Sequence, residues 1–143
     1  LATSIDTFTA LRNIKGVQAI LSGGVLHSVE DGSAGTLTGS LTVQAIKSLR
    51  FDAVCLSTMA FDPALGVYDS NWDDVAIKQA LISVAQRVFL LVDHSKWSTP
   101  RGVKVCDCSA IHTVITDRHP GAAAVKQLPQ SLELICGTAI ARA

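Results

Sequence analysis

Hydrophobic residues recur along the chain in short runs, each closed by a polar or glycine break. The clearest is Val88-Phe89-Leu90-Leu91-Val92, which halts at Asp93-His94-Ser95-Lys96. Five apolar residues without alternation predict a strand buried on both faces, as in a parallel sheet. Val17 to Leu21, Ala53 to Leu56, Thr113 to Thr116 and Leu132 to Cys136 predict further strands. Between them, helical spacing recurs. Ile5, Phe8 and Leu11 predict a short helix capped by Ser4. Leu41, Ala45, Ile46 and Leu49 predict a second. Asn71 caps a third, with Asp73 and Asp74 in its first turn and Val75, Leu81 and Ile82 on its apolar face. Gly121 to Lys126 reads as a modest fourth. Gly32 to Gly39, Ser57 to Asn71 (with Pro63 and Gly66) and Ser98 to Gly102 read as loops and turns; the long middle one has the length of a functional loop. Strand and helix alternate, so we expect an α/β fold: a mostly parallel sheet with helices on both faces.

Composition narrows the class. The chain has 143 residues, 48% of them hydrophobic, enough for one domain with one core. Apolar runs are too short to span a membrane, and no signal peptide is visible at the start. The first residue is Leu1, which leads us to expect further chain upstream. Twelve basic residues balance twelve acidic ones without forming a block. A DNA-binding surface needs clustered positive charge, so direct DNA binding is not expected of this segment. The four cysteines, Cys55, Cys106, Cys108 and Cys136, are expected as free, buried thiols of a cytoplasmic protein. Cys106-Asp107-Cys108 lacks a second ligand pair, so no metal is expected.

Candidate chemistry gathers after the strands. Ligands of open α/β sheets bind outside the carboxyl ends of the strands, which is where Asp93, Ser95 and Lys96 fall. Lys96 suits a phosphate or carboxylate; equally, it could be a solvated lysine paired with Asp93. His94 in such a place is more often a hydrogen-bonded structural residue than a catalyst. Asp52, Asp62, Asp93 and Asp117 lie at strand ends or in the loops that follow, where acids commonly bond turn amides. Gly23-Gly24 could face a ligand with backbone amides, although a tight turn needing positive φ explains it as well. Gly32-Ser33-Ala34-Gly35-Thr36-Leu37-Thr38-Gly39 lacks the ending of a phosphate loop, and no dinucleotide fingerprint or nucleophile elbow occurs.

The order and spacing of these motifs resemble the effector-binding domain of the DeoR family of bacterial transcriptional regulators. The likeness lies in Val-Phe-Leu-Leu-Val-Asp-His-Ser-Lys, followed by Val114-Ile115-Thr116-Asp117. Gly66, Asn71, Asp74 and Lys78 fall where that family has a Gly, an Asn, a Glu and a Lys around a helix start. Ile20-Leu21-Ser22-Gly23-Gly24 resembles its strand and Gly-Gly segment, and Thr3-Ser4-Ile5-Asp6 the start of an earlier helix. The resemblance implies a fold like ribose-5-phosphate isomerase A, itself related to the CoA transferases. It also implies a cytoplasmic, homo-oligomeric sensor of a phosphorylated sugar that needs no cofactor. Lys96 would contact the ligand's phosphate or an oxygen, with Asp93 and Ser95 shaping the loop. Ser57, Thr58 and Met59 stand where the family has a glycine-rich loop, with Asp62 just beyond and Asp74 replacing a glutamate. Thr3, Gly23 and Gly24 complete the implied effector site. The family's winged helix-turn-helix would bind DNA, but it is not in this chain; nor is the first strand with its Gly-Ser/Thr loop.

Two other functions compete with sensing. An isomerase-like enzyme would need a positioned carboxylate base and an electrophilic cation, for which Asp62 and Lys96 are the available pair. A domain without ligand binding, serving only self-association, is the other. The resemblance favours the sensor and implies no enzymatic activity.

Overall fold

Neighbouring strands of the largest sheet follow one another in sequence, each linked to the next by a crossover. In the computed structural model, which describes residues 1–27, 35–98 and 100–137, Phe51–Ser57 (β3), Ala85–Val92 (β6), Thr113–Thr116 (β8) and Glu133–Cys136 (β9) form a four-stranded sheet in that order. Every pairing in it is parallel, with Leu56 opposite Leu90, Leu90 opposite Val114 and Val114 opposite Leu134. Trp72–Val84 (α3) joins β3 to β6, and Ala122–Val125 (α4) joins β8 to β9. The fold is therefore α/β with a parallel sheet flanked by helices, as the alternation predicts.

The chain divides into two compact units, Leu1–Arg50 and Phe51–Ala143. In the first, Ile5–Arg12 (α1) begins at the predicted cap: Ser4 Oγ accepts from the Thr7 amide. Val25–His27 (β1) pairs antiparallel with Thr36–Thr38 (β2), and Ser40–Lys47 (α2) follows. Val17 to Leu21 is not a ladder strand; it makes a single bridge, Leu21 to Ala2. Among the described residues, no strand runs alongside it for more than that bridge. On α2 only Ile46 of the expected apolar face is fully buried, while Leu41 is 65% exposed. Positions 32–34 of the expected Gly32–Gly39 loop lie outside the described residues.

In the second unit the expected loop from Ser57 to Asn71 is instead largely strand. Ala60–Asp62 (β4) and Gly66–Asp69 (β5) form a hairpin, and Val103–Cys106 (β7) pairs with β5 to give a three-stranded antiparallel sheet. Gly66 sits at φ +104, and a Cβ there would run into the Cys106 carbonyl oxygen, so the sharp return to β5 requires glycine. One core joins the layers: Val54, Leu56, Val88, Leu90, Val92 and Val114 of the parallel sheet pack with Val75 of α3 and with Phe61, Val67 and Val105 of the antiparallel sheet. Phe61 is fully buried and meets Trp97 edge-to-face, ring centroids 4.9 Å apart.

Burial along β6 alternates, which corrects the expectation of a strand buried on both faces. Val88, Leu90 and Val92 are buried, whereas Leu91 is 46% exposed, as is Ile135 at 42% on the same side of the sheet. The physical reason is packing: side chains alternate across the pleat, and only every second one on β6 meets the core shared with α3 and the antiparallel sheet. Cys55 and Cys136 are likewise exposed, against expectation; Cys108 is buried and Cys106 half-buried.

Candidate functional site

Parallel pairing of Val92 with Thr116 sets the residues just beyond β6 and β8 side by side. After β6 the chain turns into a single 3-10 turn, His94–Lys96, capped by Asp93. Asp93 Oδ1 accepts from the Ser95 amide at 2.8 Å and from the Ser95 hydroxyl. That hydroxyl, and next the amide, hold the Asp93 carboxyl below its usual range. Asp93 thus stays ionised and shapes the turn, as the sequence suggests. Lys96 is half-buried and forms no salt bridge with a described residue. Its positive charge also lowers the Asp93 carboxyl, without a hydrogen bond between the two among the described residues.

Across from this turn, Asp117 receives two hydrogen bonds from His94. The His94 amide donates to Oδ1 at 2.6 Å, and the His94 ring Nδ1 meets Oδ2 at 2.6 Å. The ring hydrogen bond is the first reason that the Asp117 carboxyl lies below its usual range. Arg118 Nε stands 3.9 Å from the same Oδ2. Trp97 Nε1 donates to Thr116 Oγ1 at 3.2 Å, a second tie between the two strand ends. His94 is hydrogen-bonded, as expected of a histidine in that place, and its partner Asp117 was not among the expected effector-site residues. The signal was available: both stand one or two residues past strands whose register pairs their last residues.

The remaining candidates divide by what holds them. Ser57 is exposed at the end of β3. Thr58 is buried, its hydroxyl donating to the Ala60 and Tyr68 carbonyls, so it braces the hairpin. Met59 lines an open cleft of about 570 Å3 with Ala60, Ser98 and Arg101. Arg101 is a cation that the sequence reading did not single out. Asp62 Oδ1 accepts from the Ala64 and Leu65 amides, and Asp74 Oδ2 accepts from the Asn71 side chain at the start of α3. Both acids do local turn and cap work. Asp69 and Lys78 form a buried ion pair between β5 and α3, which gives Lys78 its place in the motif.

In the first unit, the Thr3 carbonyl accepts from the Leu37 amide at 2.7 Å. The Gly23 carbonyl accepts from the Thr42 hydroxyl at 2.7 Å. Gly24, at φ +118, lies so close to that hydroxyl that a Cβ would overlap it. Packing against α2 thereby explains Gly24, whereas Gly23 has open space for a Cβ and needs glycine only for its φ of +73. Among the described residues, no group of three or more His, Cys, Asp or Glu is placed to hold a metal. No described helix is long and apolar enough to cross a membrane.

Comparison with known proteins places this geometry. The chain is 25% identical over 136 residues to the L-fucose operon activator of Haemophilus influenzae, covering 95% of this chain and 50% of that protein. It is 29% identical over 109 residues to the glycerol-3-phosphate regulon repressor of Escherichia coli strain K12, covering 76% and 42% respectively. It is 25% identical over 117 residues to the putative aga operon transcriptional repressor of Escherichia coli O157:H7, covering 82% and 42%. The chain spans half or less of the length of these curated relatives. Residues 1–118 match the family described as the DeoR C terminal sensor domain, the family to which this chain belongs.

Proposed function

We propose that residues 1–143 act as one effector-binding and oligomerisation domain of a cytoplasmic transcriptional regulator of sugar metabolism. The domain binds a phosphorylated sugar and thereby controls DNA binding by a separate module. The single observation that carries the reading is Lys96: half-buried at the carboxyl end of β6, with no ion-pair partner among the described residues. An ammonium so placed is a point charge available to a phosphate. Arg101, on the wall of the open cleft with Met59, Ala60 and Ser98, is a second cation of the same unit. Relatives named for control of the fucose and glycerol-3-phosphate systems support a carbohydrate-derived effector.

The isomerase reading is weaker, because Asp62, the carboxylate it needs as a base, has an oxygen committed to two turn amides. Thermal-shift screening of phosphorylated sugars against the full-length regulator tests the proposal. Saturation at 100 times Kd should stabilise the fold by about 2.7 kcal/mol, and Lys96→Ala should remove the shift. A well-folded protein stabilised by none of them would leave only the oligomerisation role. Ribose 5-phosphate turnover lost in Lys96→Ala would instead favour the enzyme.

A further inference from the structure

His94 clasps Asp117 through its amide and one ring nitrogen, and its half-exposed ring leaves the second nitrogen open. Asp117 is held in its ionised form by its hydrogen bonds, the one from the His94 ring first among them. A carboxylate can only accept, so Nδ1 carries the proton toward Oδ2 whether the ring is neutral or charged. In the neutral ring Nε2 is then a lone-pair acceptor. It has no hydrogen-bond partner among the described residues, and the side chain is 50% exposed. Two residues on stands Lys96, a donor without an ion pair among the described residues. The Ser95 hydroxyl donates to Asp93 and keeps only acceptor capacity. The turn therefore offers a cation together with hydrogen-bond acceptors.

We propose that His94 is a ligand-reading residue: Asp117 fixes the ring through Nδ1, and Nε2 accepts a hydrogen bond from a hydroxyl of the same ligand whose anionic group meets Lys96. The inference rests on the effector reading given above and narrows it. The ligand class is a hydroxylated phosphate, a sugar or polyol phosphate, rather than a bare anion. Sulfate, which has no hydroxyl to donate, gains nothing from His94.

Two substitutions separate the clasp from the reading. In His94→Asn the amide nitrogen stands near the position of Nδ1 and can still bond Asp117, but Nε2 is gone. In His94→Gln the terminal oxygen stands near Nε2 while the clasp is lost. Binding of ribose 5-phosphate, fructose 1-phosphate, glucose 6-phosphate and glycerol 3-phosphate, with sulfate as control, is measured calorimetrically on the full-length regulator. The tightest binder should weaken about tenfold in His94→Asn, the loss of one hydrogen bond worth about 1.4 kcal/mol. The melting temperature and sulfate affinity should stay near wild type. His94→Gln should melt lower yet bind within about threefold of wild type, a difference of about 0.7 kcal/mol. Nitrogen-15 spectra of the neutral ring should show the proton on Nδ1 and not on Nε2. Wild-type affinity in His94→Asn, or the opposite tautomer, overturns the role of His94 and leaves the effector reading standing. If wild type binds none of the four phosphates, both fall together.

Discussion

Buried charge is the sharpest test at the level of single residues. Asp69 is only 6% exposed, and its carboxylate is matched by Lys78 from α3 and by the Ser70 amide. Removing one partner of a buried pair strands the other charge, at a cost of roughly 3–5 kcal/mol. Lys78→Met is therefore expected to lower the urea midpoint sharply, whereas Lys78→Met combined with Asp69→Leu should recover much of the loss. Equal midpoints for the single variant and wild type would show that the pair is not load-sharing. The sequence motif marks Lys78 by position, but periodicity has no way to reveal its partner nine residues earlier on a strand that reads as loop. The same holds for His94 and Asp117, which lie 23 residues apart and meet only because β6 and β8 pair in one register.

At the level of elements, β6 shows what hydrophobic pattern does and does not determine. Its existence, direction and end are legible from Val88 to Asp93, and so are β3, β8, β9 and the caps of α1 and α3. Which side faces the core is not legible, because Leu90 and Leu91 are chemically alike and only their tertiary packing distinguishes them. Leu90→Ala removes a fully buried side chain and is expected to cost about 2–5 kcal/mol. Leu91→Ala changes a side chain that is 46% exposed and should cost much less. Denaturant unfolding of the two variants checks the pair, and similar losses would contradict the alternation. The antiparallel sheet was illegible for another reason. β4 and β5 have three and four residues, and β5 meets β7 more than thirty residues later with a register shift at Val67 and Tyr68. Strands that short carry no readable period.

At the scale of the molecule, the four thiols report the arrangement of layers. Burial chiefly pushes Cys106 and Cys108 up to about 11, so both stay protonated at neutral pH. Cys55 and Cys136 lie exposed on the parallel sheet. A disulfide-exchange reagent at pH 8 should label two thiols quickly in the native protein, and all four after denaturation. Fast labelling of Cys108 would mean that the antiparallel layer opens readily. Cysteine-containing apolar runs alone led to the opposite expectation for Cys55 and Cys136, since composition does not tell a covered sheet face from a bare one.

The alternation of β6 has a further consequence for how such a chain can change. Val88, Leu90 and Val92 aim inward, and Asp93 follows Val92 without any intervening residue. Insertion or deletion of one residue within the strand would exchange its two faces. It would also swing Asp93 to Lys96 through half a turn and part His94 from Asp117. Core packing and the aim of the Asp93–Lys96 turn therefore share one reading frame.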